Sequence, residues 1–233
     1  MNRPLYKQVT DYVIQRIADG HYPPGSILPS EFDLAAETEV SQGTARKALA
    51  ELEQRGILER RQGKGTFVKL RTPENSLFHF FKLRTKEGEQ VVPEKKTEVV
   101  ISRKSTKNEK RALYGNPVRV FEITRIRTFK GKVVCEEVSV LAEDRFPGLK
   151  ERAPLPNTLY VLLQQAYSCI IISASETLVA DKLDERLATL MDKPEGTPVI
   201  VANREASDLQ GRVVELRKST YLTVDAVYSV KLS

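Results

Sequence analysis

The strongest constraint in this chain lies within residues 30–68, where two helix starts eleven residues apart are followed by a hairpin whose turn holds a lysine between two glycines. Ser30 opens the first helix: serine is a good N-cap, and Asp33 falls where an acidic side chain favours the positive end of a helix. Leu34 and Ala35 give that helix a small apolar face. Ser41 caps the next helix, and Gly56 ends it as the residue just past its C-cap. Inside it Ala45, Ala48, Leu49 and Leu52 follow the i, i+3, i+4, i+7 rule and face a core, so Gly43, Arg46, Lys47 and Ala50 lie on the opposite side. Ile57–Arg61 and Thr66–Val68 are β-prone and flank Gln62-Gly63-Lys64-Gly65, which reads as a hairpin. Upstream, Leu5, Val9, Val13 and Ile17 repeat at helical spacing, with Gly20 and then Pro23-Pro24-Gly25 as stops. Three helices followed by a basic hairpin predict a winged helix-turn-helix.

The charge agrees. Residues 55–71 carry six basic side chains and one acid, whereas the first 72 residues hold eleven against nine. The positive excess is therefore focused where a wing meets phosphates. Over all 233 residues the balance is 37 basic against 31 acidic, +6, which points to a polyanionic partner. An apolar content of 40% is too high for a disordered chain. Two cysteines and two histidines exclude a zinc finger or a disulfide framework, and neither a metal nor a cofactor is expected. Apolar runs such as Ile170–Ile172 stay far below the roughly 18 residues that span a membrane. The opening Met1-Asn2-Arg3-Pro4 lacks a hydrophobic signal region, so a cytoplasmic protein is expected.

Residues 71–90 are polar and turn-rich apart from Leu77–Phe81 and read as a linker whose aromatic cluster docks on a second domain. Beyond it, strand patterns fall near 91–103, 118–129, 133–142, 170–180, 198–208 and 213–231, with helical patterns near 106–114, 158–167 and 184–191. Adjacent strands with segregated helices predict an α+β domain on an antiparallel sheet. The expected division is 1–70, linker 71–90, and 91–233.

The N-terminal module resembles the GntR family of bacterial transcription regulators. The resemblance rests on Pro4-Leu5-Tyr6, Pro24-Gly25, Leu28-Pro29-Ser30-Glu31, Val40-Ser41, Thr44, Arg46-Lys47-Ala48-Leu49, Leu52, Gly56 and Arg61–Val68. The strand-rich second half is similar to the HutC branch, which implies a chorismate lyase-like effector domain called UTRA. Helix N-termini reach base edges in the major groove, and here Gln42, Gly43 and Arg46 hold that position. Ser30, Ser41 and Thr44 offer hydroxyls to phosphates, and Lys64 places a cation at the wing tip. The expected DNA-binding set is Ser30, Glu31, Ser41, Gln42, Gly43, Thr44, Arg46, Lys47, Arg61, Gln62, Gly63, Lys64, Gly65 and Thr66. Gln42 and Phe32 stand where the family often carries basic residues.

In the second domain, alternation puts Phe121, Ile123, Arg125 and Arg127 on one strand face, and Glu215, Arg217, Ser219 and Tyr221 on another. Two arginines among apolar neighbours call for an anion, either a ligand in a cleft or a carboxylate network with Glu137 and Glu215. Resemblance to UTRA domains implies one pocket lined by Arg125, Arg127, Glu137, Glu215 and Tyr221, with His79 at its entrance in place of a small polar residue. The whole implies a homodimeric repressor on a palindromic operator of double-stranded DNA, released by a small acidic metabolite. The alternatives are a second domain that only dimerises, and a chorismate lyase-like enzyme.

Overall fold

The computed structural model describes residues 3–70, 72, 81–224 and 226–230. The chain forms two compact units: one takes residues up to Thr72 with Tyr160–Ile172 and Asp208–Gly211, and the other takes the remainder.

The first unit begins with α1 (Leu5–Ala18), α2 (Glu31–Glu37) and α3 (Gln42–Gln54). Both predicted caps form: Ser30 Oγ accepts the Asp33 N–H and Ser41 Oγ accepts the Thr44 N–H, each at 3.2 Å. Each satisfies one amide that the helix start leaves without a partner. Gly56 closes α3 at φ +68°, in the left-handed region that glycine enters freely. Ala45, Ala48, Leu49 and Leu52 are buried with Val9, Val13, Ile17 and Leu34 in one core. A leucine in such a core is worth about 2–5 kcal/mol over alanine. The wing pairs β1 (Leu58–Arg61) with β2 (Gly65–Val68), Arg61 opposite Gly65. At Gly65 φ is +114° and a Cβ would come within 2.9 Å of the Ile27 side chain, so the turn requires glycine there.

The second unit contains β3 (Leu83–Arg84), β4 (Glu94–Lys104), α4 (Lys107–Ala112), β5 (Arg119–Phe129) and β6 (Lys132–Ala142). After a short 3-10 turn (Lys150–Arg152) come α5 (Leu159–Tyr167), β7 (Ile171–Lys182), α6 (Glu185–Met191), β8 (Pro198–Asp208), β9 (Val213–Leu222) and β10 (Val227–Tyr228). Most of α5 and the start of β7, within Tyr160–Ile172, belong to the first unit. Six strands form an antiparallel sheet in the order β4-β5-β6-β9-β8-β7, giving the expected α+β architecture.

The final strand departs from expectation. The pattern over 213–231 is interrupted: β9 stops at Leu222, and Val227–Tyr228 pairs instead with β3. That turn carries Tyr228 to 5.6 Å from the Tyr221 ring, itself 5.9 Å from Phe81. Phe81, Leu83 and Val91, inside or beside the stretch read as a linker, are buried in this same cluster. Among the described residues no helix is long and apolar enough to cross a membrane.

Candidate DNA interface and effector cluster

On the first unit the side of α3 opposite its buried face is open: Gln42, Gly43, Arg46 and Lys47 are exposed. The wing exposes Arg61, Gln62, Gly63, Lys64 and Gly65, with Thr66 half-buried. Several cations are oriented by neighbours. Arg61 donates to Glu59 at 2.8 Å and lies 4.3 Å over the Phe67 ring, and Lys47 lies 4.1 Å over the Tyr6 ring. Ser41 and Thr44 share a hydroxyl contact at 2.9 Å, and Ser30 Oγ donates to Asp33 at 2.6 Å. Glu31 stands apart from the other expected contacts because it accepts from Arg46 Nε at 2.8 Å and from Arg60 Nη2 at 3.1 Å. Phe32 beside it is 71% exposed.

On the second unit the strand register sets Glu98, Arg125, Glu137 and Ser219 side by side across β4, β5, β6 and β9. The next row brings Arg127, Cys135 and Tyr221 together. Facing residues share a side of the sheet, so Arg125, Arg127, Glu137, Glu215 and Tyr221 all lie on one face, as alternation requires. They do not meet at one point. Six residues separate Glu215 from Tyr221 along β9, about 20 Å of extended chain. Arg217 links Glu215 to Glu137, at 2.8 and 3.3 Å.

The arginines have partners that sequence reasoning only half identified. Arg127 donates through Nε to Glu137 and through Nη1 to Asn157 Oδ1. Arg125 pairs at 2.7 Å with Glu98, a residue absent from the expected set, and donates to the Pro156 carbonyl at 3.1 Å. Glu98 also accepts the Leu155 N–H at 2.7 Å and lies 3.5 Å from Lys95. Glu98 was findable only through the register of β4 on β5. His79 lies outside the described residues.

Burial governs the electrostatics here. Arg125 is 3% exposed, and desolvation, with the neighbouring Arg127 cation second, lowers its pKa. Burial alone would raise Glu137, but Arg127 and Arg217 outweigh it and hold the carboxyl at about 2. Burial, then Cys135 and Glu137, push the Tyr221 phenol up. Among the described residues the cluster holds four cations, Lys95, Arg125, Arg127 and Arg217, against three carboxylates, Glu98, Glu137 and Glu215. The adjoining Arg204–Glu176 pair, at 2.6 Å, is balanced. A cavity of about 560 Å³ is lined by Val138, Val140, Asn203, Leu216 and Lys218 on the opposite face, and by none of the five expected pocket residues. Among the described residues no group of three or more His, Cys, Asp or Glu could hold a metal.

An exposed capped helix beside a basic wing, on one chain with an α+β domain that buries an ionic cluster, defines a transcription regulator with a DNA-binding domain and a separate effector domain. The profile described as "Bacterial regulatory proteins, gntR family" matches residues 5–68, and that of the UTRA domain matches 96–224. The mannosyl-D-glycerate transport/metabolism system repressor MngR of Escherichia coli (strain K12) is 26% identical over 98% of this chain and 96% of its own length. The histidine utilization repressor of Pseudomonas putida is 43% identical over 32% of this chain and 30% of its own. The ligand-binding domain of a GntR-family regulator from Bordetella bronchiseptica superposes with a TM-score of 0.61 at 21% identity, over 66% of this chain and 98% of that one, a likeness of fold. This chain belongs to the GntR family, in the HutC branch that carries a UTRA domain.

Proposed function

We propose that the protein is a cytoplasmic homodimeric repressor that binds a palindromic operator and leaves it when a small acidic metabolite enters the second domain. The observation that carries the acidic ligand is the buried pair Arg125 and Arg127, in a cluster where they and the partly exposed Lys95 and Arg217 number four cations against the three carboxylates Glu98, Glu137 and Glu215. Arginine does not escape burial by deprotonating, so an added anion is the stabilising partner. The name of the mannosylglycerate repressor points the same way, since glycerate is a carboxylate. The homodimer is supported by the opposite sheet face, where Val99 and Ile101 are 58% and 41% exposed beside Arg103, Glu122, Glu205 and Lys218. A face with apolar residues and both charge signs suits self-complementary contact. Release from DNA then requires only that the acid bind the DNA-incompetent state more tightly.

A second reading, a domain that only dimerises, is favoured by the carboxylate that each of Arg125, Arg127 and Arg217 already holds. One experiment separates them. The full-length protein is melted with a panel of sugar acids and with the matching neutral alcohols. The effector reading expects stabilisation by an acid alone, and the same acid releases bound DNA. No acid-specific shift across the panel overturns it.

A further inference from the structure

We infer that Glu31 is a positioning residue that aims Arg46 at the bases and ties the recognition helix to the wing. The inference rests on the reading that α3 enters the major groove. Glu31 is the first residue of α2, held there by the Ser30 cap. One carboxylate oxygen accepts Arg46 Nε from α3 at 2.8 Å, and the other accepts Arg60 Nη2 from β1 at 3.1 Å. Arg60 Nε is in turn 3.3 Å from Glu53 Oε2 on α3. A single carboxylate thus joins three elements whose partners lie 15 and 29 residues away in sequence.

The location is electrostatically adverse, since a carboxylate on a surface that meets phosphates lowers affinity for any DNA. What it supplies is geometry. Engaging Arg46 through Nε orients the guanidinium plane and leaves both terminal nitrogens for the fork that guanine O6 and N7 accept. The Glu31 side chain is 20% exposed and that of Arg46 60%, so the carboxylate is the recessed anchor and the guanidinium the projecting end. Holding a long side chain in its bound rotamer removes an ordering penalty from association. The bridge to Arg60 fixes the wing strand to the same anchor, so base reading and phosphate contact share one register.

The test uses the full-length protein, a duplex that the wild type selects from a random pool, and a scrambled duplex of equal length, over a range of salt. Glu31→Gln should lose about tenfold in affinity for the selected duplex. Affinity for the scrambled duplex should hold or rise, because a repelling charge has gone. In an Arg46→Ala background the same change should no longer lower the preference, which a merely structural role would not produce. Glu31→Asp keeps the charge and shortens the reach, and should reproduce the loss of preference should the glutamine variant melt early. Equal gains or equal losses on both duplexes, or an undiminished effect in the Arg46→Ala background, overturn the inference. An Arg46→Ala protein with unchanged preference instead refutes the groove placement of α3.

Discussion

Removing a carboxylate from the buried cluster should destabilise the free protein more than removing an arginine. Consider Glu137→Gln against Arg127→Met. In the methionine variant Glu137 keeps Arg217 at 3.3 Å, and the count becomes three cations against three carboxylates. The variant loses the hydrogen bonds to Glu137 and Asn157, about 1–3 kcal/mol, together with the attraction of Arg127 for Glu137, which Arg217 continues to supply in part. In the glutamine variant Arg125 and Arg127 remain adjacent, 3% and 4% exposed, with one carboxylate fewer. Stripping a buried ion of its partner costs about 3–5 kcal/mol. The glutamine variant should therefore melt lower by about 2 kcal/mol, roughly 4–8 °C for a domain of this size. Thermal and urea melts at pH 7 measure it. The pH dependence supplies a second check. With its folded carboxyl at about 2 and an ordinary value of 4.5, Glu137 stabilises the fold above pH 4.5 and loses that contribution as the pH falls toward 2. The wild type should lose its lead over the glutamine variant across that window. A methionine variant less stable than the glutamine variant would refute the charge count and remove the main support for an acidic ligand.

Two predictions concern DNA. Lys64→Ala at the exposed wing tip should weaken binding to all sequences alike and reduce the salt slope by about 0.9; an unchanged slope in a salt titration would take the wing off the phosphates. Gly43→Ala has room within the fold, since a Cβ there meets only Ser41 Oγ at 3.9 Å. It should raise helix stability by about 0.5–1 kcal/mol. With α3 in the major groove, as proposed, the new methyl would enter the groove and operator affinity should nevertheless fall; a gel-shift assay with undiminished affinity would contradict the close approach.

The two kinds of signal differ in range. The caps at Ser30 and Ser41, the buried stripe of α3 and the glycine-bracketed wing were legible because each is decided within a helical turn or a hairpin, by groups a few residues apart. The face shared by Arg125 and Arg127 was legible for the same reason, since alternation along a strand is local. Their partners were not. Glu98 meets Arg125 across 27 residues because β4 pairs with β5 in one register, and a shift of one residue would have turned it to the other face. Glu31 entered the expected DNA-binding set through its place in Leu28-Pro29-Ser30-Glu31, yet folding gave its carboxylate to Arg46 and Arg60. Residues 213–231 carry continuous strand propensity, and only the pairing of Val227–Tyr228 with β3 breaks it in two. Local patterns specify elements and faces, whereas the partner of a buried charge is chosen by register and desolvation, which exist only once distant segments have packed.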